Sequence, residues 1–150
     1  MKKTYDAKDP VTEVVEAIAA GPLKYLPVHV PLGDLDATDE KRVFVAKQDC
    51  YVKDADFCSE TALAVGGTNY RSFQLTNLTK SVNLLATAKT TDTGGQALVA
   101  DTPFSMTPDQ NNKLVAGDVL ELVQTKTGTL TAIAECSMTL YISFDDNDKL

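Results

Sequence analysis

Acid–base, nucleophilic and metal chemistry draw on a few residue types, and this sequence supplies them sparsely. His29 is the only histidine, and the three cysteines are Cys50, Cys58 and Cys136. A Ser-His-Asp or Cys-His set would therefore have one possible base, and no serine sits in a G-x-S-x-G turn. There is no C-x-x-C, and a zinc site would need nearly every candidate ligand to converge, so no metal is expected. GDLDATDEK, with Asp34, Asp36, Asp39 and Glu40, opens like a calcium loop. It lacks the glycine and the bidentate glutamate at EF-hand spacing and reads as a solvated loop. The glycines of GGTNY do not form a G-x-x-x-x-G-K phosphate loop. Carboxylates are plentiful, but a glycosidase also wants aromatic platforms, and the chain has no Trp and 7% aromatics. The residue types point away from an enzyme and imply no cofactor.

Charge and composition narrow the partners. Lys and Arg number 14 against 21 Asp and Glu, a formal charge of -7, with 43% hydrophobic residues in 150. That is enough apolar material for one core and too acidic for a protein that neutralises nucleic-acid phosphates. No apolar run approaches a membrane span. An odd cysteine count is a poor disulfide framework and fits half-buried thiols in a reducing cytoplasm. MKKTYDAKDP begins with lysines but has no apolar stretch behind them, so no secretion is expected.

Periodicity then sets the elements. Residues 1–9 read as an arm. In DPVTEVVEAIAAGP, Asp9 suits an N-cap and Pro10 a first helical position, while Val11, Val14, Val15 and Ile18 fall on one helical face. Glu13 and Glu16 lie near the favourable end of the dipole, and Gly21-Pro22 closes the segment. A helix of about eleven residues is marginal alone, so its stripe must dock, on its own domain's sheet or on a neighbouring subunit or partner.

From Pro22 the period is two. Leu26, Val28, Val30 and Leu32 alternate with Pro27, His29 and Pro31, which predicts an edge strand or an extended strap with its apolar set inward and His29 solvated. RVFVA (42–46) is a strand. Residues 50–65 form a long extended stretch, and the parity change between Val52 and Ala55 predicts a bulge. After the Gly66-Gly67 turn, Arg71, Phe73 and Leu75 share one face, with Tyr70, Ser72, Gln74 and Thr76 on the other. SVNLLATA reads as a strand, TTDTGGQ as a loop, and the stretch to Lys113 as one short strand and much loop. Gly117-Asp118 turns into a strand over 119–125. Cys136, Met138, Leu140, Ile142 and Phe144 form the inward set of the last strand, and the charged tail DDNDKL reads as frayed. Eighteen threonines suit exposed sheet faces. The expected fold is all-β, an antiparallel β-sandwich or jelly-roll-like domain over 22–144, with a short N-terminal helix and arm (1–21) and a charged tail (145–150).

Three segments carry a resemblance: RVFVAKQDCYVKDADF (Arg42–Phe57), GGTNYRSFQLTNL (Gly66–Leu78) and LVAGDVLELVQTKTGTLTAIAECSMTLYISF (Leu114–Phe144). In order and spacing they resemble the head decoration proteins (cement or head-fibre proteins) of tailed bacteriophages, over residues 25–144. The matching motif residues are Thr68, Asn69, Tyr70 and Arg71, opening a central strand, and Gly117 and Asp118, before a later one. The chain departs from the pattern at LTAIAE, where a Gly-rich, Pro-containing loop is expected, and in everything before Pro22.

The resemblance implies a non-enzymatic virion protein, made in the host cytoplasm and bound to the capsid exterior. Its partners would be the major capsid protein and itself, as a homotrimer at three-fold or local three-fold positions, with no nucleic acid and no membrane. Lys2, Lys3 and Tyr5 would anchor the capsid or inter-subunit contact, with Val11, Val14, Val15 and Ile18 as its apolar stripe. Arg71 reads as a structural hydrogen-bonder rather than a binding residue. The competing reading is a carbohydrate- or receptor-binding module of a phage fibre, which would need Tyr51, Tyr70 and Tyr141 clustered and exposed.

Overall fold

A computed structural model describes residues 25–150, and the predicted N-terminal helix and arm lie outside them. The described chain is an antiparallel β-sandwich of two five-stranded sheets. The first sheet orders β1 (Leu26–Leu35), β10 (Ile133–Ser143) and β3 (Cys50–Cys58), with short β7 (Phe104–Ser105) and β8 (Lys113–Leu114) both paired to β3. The second orders β2 (Asp39–Val45), β9 (Val119–Thr127) and β4 (Tyr70–Asn77), with β5 (Val82–Asn83) and β6 (Lys89–Thr90) both on β4. From β1 to β4 each strand lies in the opposite sheet from the one before it, and the chain crosses again from β9 to β10.

Local chemistry explains several placements. β1 pairs only with β10, as two prolines in one strand require. Pro27, His29 and Pro31 are exposed, and Val28, Val30 and Leu32 are half-buried over the core. The expected bulge falls at Lys53: Tyr141 faces Asp54 and Ile142 faces Val52, so Lys53 has no partner in the register. That extra residue keeps both Val52 and Ala55 fully buried. The two inner faces meet in an aromatic stack. Phe57 of β3 and Phe73 of β4 have ring centroids 4.7 Å apart, and Phe104 lies 5.5 Å from Phe73. Leu75, Leu120 and Leu122 from one sheet and Met138, Leu140 and Ile142 from the other complete the fully buried centre. Each such side chain contributes roughly 1.5–3 kcal/mol by leaving water.

Four expectations differ from the structure. SVNLLATA is a strand only at Val82–Asn83. Leu84 and Leu85 are buried beyond it: Leu84 N donates to Leu75 O (2.8 Å), and for Leu85 the Gln74 side chain stands in for a strand, its Nε2 donating to Leu85 O (3.0 Å) and its Oε1 accepting from Leu85 N (3.2 Å). The acidic loop contracts to a turn at 36–38, since Asp39 and Glu40 join β2. Leu26 and Phe144 are 53% and 52% exposed rather than in the core, because they end their strands beyond the cover of the opposite sheet.

The tail is also docked. A 3₁₀ turn at Asp146–Asp148 covers Tyr51, whose hydroxyl donates to Asp146 Oδ1 (2.5 Å). Asp148 accepts from Ser143 Oγ (2.5 Å) and pairs with Lys53 Nζ (3.1 Å). Asn112 Nδ2 donates to the Asp148 carbonyl (2.9 Å). Asp148→Ala removes the Ser143 and Lys53 contacts and should lower stability by about 1–2 kcal/mol, read from the urea midpoint. A midpoint equal to that of the parent chain would mean that the Asp148 side-chain contacts contribute no stability.

Candidate interaction surface

The motif residues behind the family resemblance lie at the two ends of β4, and two of the six, Arg71 and Asp118, are buried. At its start, Arg71 points into the sandwich with no solvent exposure. Its Nη1 donates to Gln124 Oε1 (2.6 Å), and its Nη2 to Asp36 O (3.1 Å) and Thr131 O (2.8 Å). One guanidinium therefore joins β4, β9, the β1–β2 turn and the β9–β10 loop. Burial lowers its pKa from the ordinary value, opposed by the charges of Asp36, Cys136 and Asp39. Its Nε and Gln124 Nε2 are buried without a hydrogen-bond partner among the described residues. Thr68 and Asn69 complete this end. Asn69 Oδ1 accepts from Thr129 N (2.8 Å), and Thr68 O and Asn69 Oδ1 lie where a Cβ on Gly128 would sit. Gly128 has φ +76°, so both conformation and space require glycine there. Tyr70 pairs with Thr127 and is half-buried.

At the far end of β4, Asp118 is 2% exposed. Its Oδ2 accepts from Asn77 Nδ2 (2.8 Å), Val115 N (2.9 Å) and Lys80 Nζ (2.8 Å). Burial raises its pKa, but the bonds from Lys80, Val115 and Asn77 outweigh that and hold the carboxyl below its ordinary value. Gly117 (φ +94°) makes the preceding turn, and Gly117 N donates to Ala46 O (2.8 Å). Asn69, Arg71, Gly117 and Asp118 are structural locks.

The surface with interaction chemistry lies elsewhere. At the Asp118 end, Leu26, Phe44, Val45 and Phe144 line a groove of about 230 Å³ with Lys47 and Gln48 on its wall. Leu26, Val45 and Phe144 are each about half exposed. Alternation reads the end of a strand like its middle, so sequence reasoning missed this patch. The only signal was position, at the last residues before a turn. A second cleft of about 450 Å³ opens where β1 and β2 run side by side, between Val30–Leu32, Glu40–Arg42 and Glu121. Its charges come from the edge strand β2 and from Glu121 of β9.

The other candidates do not converge. His29 is exposed, with Nδ1 3.3 Å from Thr139 Oγ1. Cys50 and Cys136 are buried and Cys58 half-buried, all free thiols. Burial, with Asp49 and Asp118 nearby, pushes Cys50 up to about 11. Burial also raises Cys58 and Cys136, so no thiol is activated. Tyr51 is buried under the tail, Tyr141 lies on β10, and Tyr70 lies on the other sheet, so the three tyrosines form no platform. Among the described residues no three His, Cys, Asp or Glu side chains could hold a metal ion, and no helix is long and apolar enough to cross a membrane. Lys2, Lys3, Tyr5, Val11, Val14, Val15 and Ile18 lie outside the described residues.

No family model and no curated protein matches the chain. Among solved structures it is similar to a chain in the structure of infectious bursal disease virus Gx strain, with a TM-score of 0.31 and 13% identity. That likeness covers 81% of this chain and 34% of the viral one, so this chain spans about a third of the viral chain's length. A likeness at that level says nothing of activity or partners.

Two expected outcomes follow from the locks. Arg71→Ala leaves the buried Gln124 Oε1 and two loop carbonyls without their donor and opens a cavity, and should cost about 3–5 kcal/mol in chemical denaturation. A cost under about 1 kcal/mol would show that the buried guanidinium is not a lock. Asp118 titrates lower in the folded chain than in the unfolded one. Its contribution is therefore fully present above about pH 4 and is lost as pH falls through the folded-state value. Asp118→Asn should be less stable at neutral pH and lose less on acidification. Parallel pH curves for the two proteins would refute the assignment.

Proposed function

We propose that this chain is a non-enzymatic virion protein of a tailed phage, bound to the outer surface of the capsid and stabilising the head. Its partners are the major capsid protein and two further copies of itself, as a homotrimer at three-fold or local three-fold sites. What supports the reading is where the resemblance residues fall. Asn69, Arg71, Gly117 and Asp118 occupy locking positions at the two ends of β4, so the likeness involves residues that determine a fold rather than a shared surface composition. Physical chemistry adds one support. A charge of -7 disfavours a place against packaged DNA and suits the exterior.

In this reading the N-terminal segment is the contact element, with Lys2, Lys3 and Tyr5 as its polar anchors. The test is light-scattering mass together with co-sedimentation on emptied phage heads lacking this protein. The full chain, 16.1 kDa per copy, should run as a trimer or pellet as one with heads. Removing residues 1–21 should leave a β domain by circular dichroism that loses pelleting or trimerisation. A truncated chain that pellets and assembles like the full one would remove the contact role of that segment. A full chain that is monomeric and stays in the supernatant would overturn the decoration reading itself.

A further inference from the structure

We infer that the apolar groove at the Asp118 end is the seat of this chain's own Val11–Ile18 stripe. Seven large hydrophobic side chains are exposed among the described residues, and three of them, Leu26, Val45 and Phe144, line this one groove with Phe44. A half-exposed phenylalanine beside two half-exposed aliphatic residues is unfavourable in water unless something covers it.

The chain supplies the cover. Twenty-four residues precede the described structure, and they lead through Tyr25 directly into Leu26, which is itself a wall of the groove. Within them Val11, Val14, Val15 and Ile18 recur at one-face helical spacing. Ile18 precedes Leu26 by eight residues, a tether of up to roughly 26–29 Å when extended, and Gly21-Pro22 is a reversal signal within it. A tether of that length allows the stripe to reach the groove. So short a tether holds it at a local concentration on the order of millimolar, above that of any second copy in dilute solution.

This inference goes beyond the virion reading and does not depend on it. A stripe seated in the groove acts as a strut, so the arm carrying Lys2, Lys3 and Tyr5 leaves the sandwich from its Asp118 end.

Paramagnetic broadening in the full chain tests it. A nitroxide is attached at Glu13→Cys in a Cys58→Ser background, and ¹⁵N amide intensities are compared with the reduced label. The amides of Leu26, Val45 and Phe144 should lose most of their intensity, and those near Arg71 at the opposite end should keep theirs. Ile18→Asp should abolish the broadening while the remaining amide spectrum is unchanged. A mixture of unlabelled ¹⁵N protein with spin-labelled ¹⁴N protein should show none. Broadening in the mixture would make the occupant a second copy and overturn the inference. Absence of broadening in the single-species sample would overturn it too.

Discussion

A guanidinium without solvent contact must be met by acceptors, and meeting Arg71 organises one whole end of the molecule. Two of its acceptors, the carbonyls of Asp36 and Thr131, belong to loops that join one sheet to the other, and the third is the buried amide of Gln124. Those loops have no strand neighbours to satisfy their backbone. Arg71 does it for them and thereby holds the two sheets in register at that end. Asp118 does the converse at the other end, where a buried carboxylate collects donors from β4, from the loop after it and from its own turn. β4 thus carries a buried cation at its start and, through Asn77, a buried anion at its end, with the Phe57–Phe73–Phe104 stack between them.

The crossing order of the strands explains why such locks are needed. Consecutive strands from β1 to β4 lie in different sheets, so no hairpin holds them together locally. Each connection must bend over an end of the sandwich, where apolar cover is thinnest and backbone polar groups are most numerous. Polar side chains with fixed partners specify such corners better than apolar ones do, because a displaced hydrogen-bonding group pays its full desolvation cost.

The outer surfaces show a different economy. β1 carries prolines and β2 carries Glu40, Lys41 and Arg42, and both devices blunt free sheet edges against further strand pairing. Association through open edges is therefore disfavoured on that side. What the fold leaves available is the apolar end beside Leu26 and Phe144, where the N-terminal segment joins the sandwich.

Much of this was legible in the chain itself. Two prolines sufficed for an edge strand, because a residue without an N–H cannot serve a central ladder. The parity change between Val52 and Ala55 announced the bulge, because side-chain direction in a strand has period two. The same rule put Arg71 on the inward face with Phe73 and Leu75, and that burial is what makes it a lock. Other features had no local signal. Leu84 and Leu85 are apolar in a strand-like run, yet the backbone of Leu85 is satisfied by the Gln74 side chain, and only the folded chain brings that amide there. The charged tail is docked because Tyr51, Lys53 and Asn112 meet it from far away in sequence. The sequence by itself determined the period of each strand, the edge position of β1 and the residues able to lock a turn, since those depend on neighbours along the chain. The partners of Arg71 and Asp118, the covering of Tyr51 and the exposure of Leu26 and Phe144 were decided by tertiary structure alone, because hydrogen bonding and burial depend on which distant segments arrive at the same place.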